Sequence, residues 1–154
     1  MREIKFRAKG LIDDNWHYGS YVYTNDDKNN PFESGPVKEN HHIIQYYPGD
    51  WNLGGWEPIE INPNTLGQFT SLKDKNGKEI YEGDILSFAW GMEPDVFVPN
   101  NDYLEVRFVR GVFAFLWNGD LDDECTTGSP THEWATVVGN IHDNPELIKK
   151  QLNI

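Results

Sequence analysis

The stretch Gln68 to Ser87, QFTSLKDKNGKEIYEGDILS, constrains this chain more than any other. Asn76-Gly77 is a strong turn dipeptide, because both central residues of a type I′ turn need positive φ and Asn and Gly adopt it at low cost. Lys73, Asp74, Lys75, Lys78 and Glu79 keep the tip charged. Ile80 and Tyr81 then supply apolar bulk, Glu82-Gly83-Asp84 marks a second turn, and Ile85-Leu86-Ser87-Phe88 begins another strand. A chain punctuated this way is expected to build antiparallel β-structure.

Two familiar motifs are excluded in the same segment. Asp74-Lys75-Asn76-Gly77 looks like the middle of a calcium-binding EF-hand loop. With Gly77 at the sixth position, however, Leu72 falls first, Glu79 takes the apolar eighth position and Gly83 stands where the bidentate Glu belongs. Gly77-Lys78 is followed by Glu79 and lacks the upstream glycine spacing of a phosphate-binding loop.

Three blocks carry a family resemblance. Met1 to Ala8 reads MREIKFRA, Thr65 to Ile85 reads TLGQFTSLKDKNGKEIYEGDI, and Val137 to Leu147 reads VVGNIHDNPEL. In content and order they resemble the YopX family of bacteriophages and prophages, and they bracket nearly the whole chain. The resemblance implies an SH3-type β-barrel unit. It brings no established activity and no catalytic residues. Ser71 stands where the family usually has Gly; if that position has positive φ, Ser71 implies a different local turn or strain.

The sequence has 154 residues, room for one ordinary domain or two small ones. The expectation is a single YopX-like domain over 1–154, with a possible division into an N-terminal β unit, 1–66, and an SH3-like barrel plus terminal helix, 67–154. Aromatic residues make up 14% of the chain, six of them Trp, so a core can form with few aliphatics. The formal net charge of -12 disfavours direct binding to nucleic acid, where affinity comes largely from neutralising phosphates. Cys125 is the sole cysteine, so no intramolecular disulfide forms. No signal peptide and no long apolar run is visible. The expected location is the cytoplasm of a bacterial host.

The remaining chain reads as short strands between turn clusters. Glu3 to Ala8 alternates, with Ile4, Phe6 and Ala8 on one face. Trp16 to Thr24 is a strand hairpinned to the first. Trp16, Tyr18 and Val22 lie on one face and His17, Tyr21 and Tyr23 on the other, so both faces are expected to be partly covered. Asn25 to Asn40 reads as a long exposed loop. His41 to Tyr47 is a strand, and Pro48 to Gly55 is a loop bearing Trp51, a candidate binding anchor. Trp56 to Ile61 is a short strand that Pro58 places at a sheet edge. Asn62 to Thr65 is a turn, or one helical turn starting at Pro63. Gly91 to Asp102 is loop. Tyr103 to Arg110 alternates, Gly111 turns the chain, and Val112 to Trp117 reads as a central strand buried on both faces. Trp134 to Ile141 is the last strand, with Gly139 at a bulge or close approach, and Asn144-Pro145-Glu146 starts a short helix running to about Asn153. The fold expected is mainly β, with a small SH3-like barrel in the C-terminal half, an N-terminal β-hairpin unit and a short C-terminal helix.

Few residues offer chemistry. Asp120, Asp122, Asp123, Glu124, Cys125, His132 and Glu133 form the densest polar cluster, but without paired metal-ligand spacing, and a solvated acidic loop is the simpler reading. Cys125 with His132 lacks anything to orient the pair or form an oxyanion hole. His41 and His42 are adjacent, so on a strand they point to opposite faces. Arg2 with Glu3, and Asp84 with Arg107, are candidate ion pairs. No catalytic, cofactor or metal residue is assigned. The leading expectation is a non-enzymatic interaction protein that docks a host or phage protein through loops and a strand edge and is able to self-associate, with no membrane partner. The alternatives are a nucleic-acid-associated module and, behind it, a metal-dependent hydrolase using the acidic segment.

Overall fold

The computed structural model describes residues 1–25, 39–49, 54–88, 103–117, 124–126 and 133–149. It divides into two compact units, one over Ile4–Gln68 and one made of Met1–Glu3 with Phe69–Ile154. The protein is mainly β, with two antiparallel sheets and a short C-terminal helix.

In the unit over Ile4–Gln68, β1 (Phe6–Lys9) pairs with β2 (Trp16–Asn25), β2 with β3 (Glu39–Tyr47), and β3 with β4 (Gly55–Glu60), which is the edge strand. The edge position expected from Pro58 is observed. β1 starts later than expected and Ile4 is exposed, whereas Phe6 and Ala8 face the core. Ala8, Ile43 and Ile61 are buried together, with Phe6, Tyr21, Ile59 and Leu66 packed against them. Period-2 alternation sends the remaining side chains to the other face. A 3-10 turn at Pro63–Thr65 follows, with the Asn62 side chain accepting from the Asn64 amide. Thr65 Oγ1 accepts from Lys9 N at 2.9 Å and donates to Asn62 O at 2.7 Å, which ties this turn to β1. β5 (Gly67–Lys73) begins here, pairing with β1 through Gly67 and Gln68.

In the other unit, β5 continues from Phe69 and forms a hairpin with β6 (Glu79–Tyr81). A five-stranded sheet has the order β10-β9-β8-β7-β11, from β7 (Asp84–Phe88), β8 (Tyr103–Val109), β9 (Val112–Trp117), β10 (Glu124–Thr126) and β11 (Ala135–Asn140). Among the described residues no pairing closes this sheet into a barrel. Ile80, Leu86, Leu104, Val106, Phe115, Ala135 and Val137 form its core, with Leu72 against it. Phe113, Ala114, Phe115 and Leu116 are all buried, so β9 is covered on both faces, as its unbroken apolar run implies. The register of β11 shifts between Val137 and Gly139. A Cβ on Gly139 would sit 2.4 Å from Asn144 Oδ1, so the glycine expected at a bulge admits that contact. The helix α1 (Pro145–Lys149) starts at Pro145 as expected, and residues 150–154 lie outside the described residues. The Asn144 side chain turns back toward Asn140 N, at 3.4 Å.

The turn chemistry differs from expectation in one respect. Asn76 keeps a negative φ, and in the loop only Gly77 is left-handed, at φ 81°. Gly77 N donates to Asp74 O and Asp74 N to Lys78 O, a type I turn closed by a left-handed glycine. Asp74 imposes this form. Its carboxylate Oδ1 accepts from Asn76 N (2.8 Å) and Lys78 N (2.9 Å), and Oδ2 accepts from Val137 N in β11 (3.0 Å). The type I′ geometry occurs instead at Arg110-Gly111, with φ 50° and 89°, between the paired residues Val109 and Val112.

Asp74 is 5% exposed. Burial by itself would raise its pKa, but the amides of Val137, Lys78 and Asn76 outweigh it and hold the carboxyl below its ordinary value. A carboxyl depressed on folding contributes stability in full above its unfolded pKa of about 3.9 and loses it as pH falls through that value and below. Asp74→Asn keeps one acceptor oxygen and cannot serve both sides of the carboxylate. The expected loss is about 1.5–3 kcal/mol in urea denaturation at neutral pH, with a shallower acid limb than wild type below about pH 4. An unchanged urea midpoint would contradict this role.

Ser71 has φ 71°, inside β5 where its pairing with β6 slips between Phe69 and Lys73. Its hydroxyl makes a long contact with Glu3 O, at 3.4 Å. The strain anticipated for Ser at a glycine position is therefore present. Left-handed backbone costs a non-Gly residue about 1–2 kcal/mol, and Gly adds about 0.4–1 kcal/mol of unfolded-chain entropy. Ser71→Gly is accordingly expected to raise the unfolding free energy by about 0.5–1 kcal/mol, and Ser71→Val to lower it, as read from the same urea curves.

Candidate functional site

Exposed Tyr18, Val22, Tyr46 and Trp56 share one sheet face of the Ile4–Gln68 unit, and exposed Tyr23 and Tyr47 lie on the other. The register sets Val22 opposite His42 and His42 opposite Glu60, Ser20 opposite Ile44 and Ile44 opposite Pro58, and Tyr46 opposite Trp56. With Tyr18 on β2, this is the face turned away from the buried cluster of Ala8, Ile43 and Ile61. Tyr18, Val22, Tyr46 and Trp56 are exposed, Trp56 at 72% and Tyr46 at 56%. The Tyr46 and Trp56 rings form a tilted cross-strand pair with centroids 5.2 Å apart. A Cβ on Gly54 would meet Tyr46 Oη at 2.4 Å, so the glycine leaves room for that ring. Both faces of β2 are partly covered, as expected: Arg7 lies over the Trp16 ring on this face, and Tyr21 packs against the buried cluster on the other. Away from Trp16, the aromatics Tyr18, Tyr46 and Trp56 of this face remain at the surface.

Beside this face lies a depression of ≈ 540 Å³, lined by Asp13, His17, His42, Tyr47, Glu57 and Glu60 among others. Asp13 is placed by the turn between β1 and β2, where Asp14 takes φ 55°. The Asp13 carboxylate accepts from Asn15 N at 3.1 Å and faces His17 Nε2 at 3.0 and 3.2 Å. The hydrogen bond to His17 comes first, and that to Asn15 second, in holding the Asp13 carboxyl below its ordinary value. His17 Nδ1 lies 3.3 Å from Gln45 Oε1, which also accepts from Tyr47 Oη at 3.3 Å. A general base needs a ring nitrogen open to substrate, and both nitrogens of His17 are engaged. The arrangement is a brace between the turn and β3. Among the described residues no group of three or more His, Cys, Asp or Glu side chains is placed to hold a metal ion.

Sequence-derived candidates fall elsewhere. His41 and His42 point to opposite faces as expected: His41 Nδ1 is 2.7 Å from Tyr21 Oη on the core side, and His42 opens on the depression. Trp51, His132 and residues 120–123 lie outside the described residues, as does the side chain of Cys125; of the acidic segment 120–133 only 124–126 and Glu133 are described. Arg107 pairs with Glu105, at 2.7 Å, and not with Asp84. Asp84 is buried and accepts from Tyr81 N at 2.7 Å, because three residues separate them across a tight turn. Arg2 lies over the Phe113 ring at 5.9 Å. The open face and its Asp13–His17 brace escaped the sequence reading. The alternation of aromatics on both faces of β2 was their one available signal.

The residues that define the three sequence blocks serve the backbone. Arg7, 6% exposed, stacks over the Trp16 ring at 4.7 Å. Thr70 Oγ1 donates to Ile80 O and accepts from Leu72 N. Gly83, at φ 83°, receives Ile141 N on its carbonyl and donates to Val106 O, so this turn is held from two sides. Asn140 Oδ1 accepts the His142 and Asp143 amides, and its Nδ2 donates to Asp143 Oδ2. These residues form a scaffold.

Comparison with known proteins agrees with that scaffold. No curated protein matches the chain. The protein EF1440 from Enterococcus faecalis, known from a crystal structure, is similar at 24% identity and a TM-score of 0.53, over 96% of this chain and 99% of that one. At that identity the likeness concerns the fold. The family model described as "YopX protein" matches residues 5–149. With the three sequence blocks accounted for as its folding signature, the chain belongs to the YopX family.

Proposed function

We propose that this protein is a non-enzymatic interaction module, of phage or prophage origin and acting in the cytoplasm of a bacterial host, that docks a protein partner through the β2–β3–β4 face. The SH3-type character implied for the C-terminal unit belongs to the same reading, as a supporting scaffold. The observation that carries it is the Tyr46–Trp56 pair, two large amphipathic side chains held exposed and in contact on a regular sheet. Trp and Tyr dominate the energetics of protein interfaces, and contiguous exposed apolar surface marks interaction sites.

Engagement of the face is favoured over pairing along the β4 edge. Ile61 N donates to His41 O, so by alternation Ile59 and Glu57 turn their backbone groups toward β3. The backbone groups of Trp56, Pro58 and Glu60 then point to the open side. Pro58 has no N–H, and Glu60 O already accepts from Leu11 N at 2.9 Å. A row so poor in free donors and acceptors is a weak template for an added strand.

Trp56→Ala together with Tyr46→Ala tests the reading. Both side chains are exposed, so the urea midpoint of the double variant is expected to stay within about 0.5 kcal/mol of wild type. Capture of a protein partner from nuclease-treated host lysate is expected to weaken at least tenfold, about 1.4 kcal/mol or more. Undiminished capture by the double variant, or capture abolished by nuclease, would reject docking through this face.

A further inference from the structure

Asn76-Gly77 is a dipeptide with covalent chemistry of its own. An Asn side-chain amide is open to attack by the next backbone nitrogen, and glycine has no Cβ to hinder the approach. We propose that Asn76 is a modification site that the Asp74 turn holds latent. While the turn is closed Asn76 is inert; once it opens, Asn76 converts to isoaspartate and the turn no longer closes.

The electrophile is open and the nucleophile is locked. Asn76 is exposed, and its side-chain amide has no hydrogen bond among the described residues. A Cβ on Gly77 would meet nothing within 4 Å, so water and base reach the site. Gly77 N, however, donates to Asp74 O at 2.9 Å, which holds its proton inside the turn. In a type I′ turn centred on Asn76 and Gly77, the Lys78 amide would close the turn and Gly77 N would stay free. The Asp74 carboxylate selects the other form by accepting from Asn76 N at 2.8 Å and Lys78 N at 2.9 Å. Its bond to Val137 N, and that of Lys75 N to Ala135 O at 3.1 Å, tie the same loop to β11. Release of Gly77 N is therefore coupled to the opening of these bonds.

The reaction balances with water alone. Gly77 N gives its proton to solvent base and forms a bond to Asn76 Cγ. The Cγ–Nδ2 bond breaks, and the leaving nitrogen takes a proton from water and departs as ammonia. Water then adds to either carbonyl of the cyclic imide and gives aspartate or isoaspartate. Isoaspartate routes the main chain through Cβ and Cγ, one carbon longer than before. Asp74 Oδ1, which accepts from Asn76 N and Lys78 N at once, then no longer spans both.

The test follows Asn76 in the full chain by peptide mapping and mass spectrometry, in mildly alkaline buffer. The acetylated and amidated peptide Lys-Asp-Lys-Asn-Gly-Lys-Glu is the reference. Asn118-Gly119, the other such dipeptide of the chain, lies outside the described residues and is scored on a separate fragment. Isoaspartate at Asn76 is expected to form at least about tenfold more slowly in the folded chain than in the peptide, and at the peptide's rate in urea. Hydrogen exchange at Gly77 N reads the same opening, so its protection is expected to match that slowing within about threefold. D74N, checked for folding by its amide spectrum, is expected to lose at least about threefold of the slowing. The isoaspartyl chain, isolated and returned from urea, is expected to have a lower urea midpoint than N76D, which adds the same charge on an unlengthened backbone. Equal rates in the folded chain and the peptide, or an inert Asn76 in the unfolded chain, overturn the proposal. Slowing that does not follow Gly77 exchange, or a folded D74N that reacts as slowly as wild type, overturns the hold of Asp74 on the site. If D74N does not fold, the exchange comparison in the wild-type chain decides. An isoaspartyl chain as stable as N76D overturns the loss of the turn.

Discussion

A single buried carboxylate fixes the turn around which the C-terminal unit is arranged. Asp74 gathers three backbone amides, two from its own loop and one from Val137. The Val137 amide would otherwise be a buried donor without an acceptor, at a cost of about 1–3 kcal/mol. The ionised carboxylate suits this task because its two oxygens offer several acceptor directions at once. The Lys75 amide adds a bond to Ala135 O, so the loop is held at two points along β11. Asp84 repeats the device on a smaller scale, accepting Tyr81 N from a fully buried position. The loop between β5 and β6 and the last strand of the chain are thereby locked in one register.

This reliance on buried acids bears on what the sequence signature means. Asp, Asn, Thr and Gly in a motif commonly suggest ligand or metal chemistry, and Asp74 to Gly77 read in isolation looks like a calcium loop. In the structure their oxygens are occupied by amides, and the left-handed residues sit where turns demand them. A group that already satisfies the backbone has little capacity left for a substrate. The oxygens of Asp74 and Asn140 in the three blocks therefore serve the fold. Exposed Tyr46 and Trp56 lie outside the three blocks.

Much of the fold was legible because its punctuation is local. Pro58 removes a donor and can stand only where no neighbour needs it, so the edge position of β4 follows from one residue. Pro63 and Pro145 fix φ at the first positions of their turns. The apolar run of β9 predicts burial on both faces. The errors arise where a distant group overrides local preference. Asn76-Gly77 has the composition of a type I′ turn, but the Asp74 carboxylate, answering to Val137 far along the chain, selects another geometry. Arg110-Gly111 takes the type I′ form between two paired valines. The Asp84 side chain finds Tyr81 N three residues away before it can reach Arg107 on a neighbouring strand.

The open face was the least legible feature, for a reason rooted in how small sheets bury surface. Alternation tells which side chains share a face but not which face finds a cover. In β2, aromatic residues occupy both, and composition cannot rank them. The choice falls to Ile43, Ile59 and Ile61, aliphatic residues on the neighbouring strands and just beyond them, which gather with Ala8 on one side. The opposite side carries Tyr and Trp, whose polar atoms tolerate water while their rings retain a large apolar area. Inward, Phe6 and Tyr21 join the aliphatics, whereas Tyr46 and Trp56 stay outward.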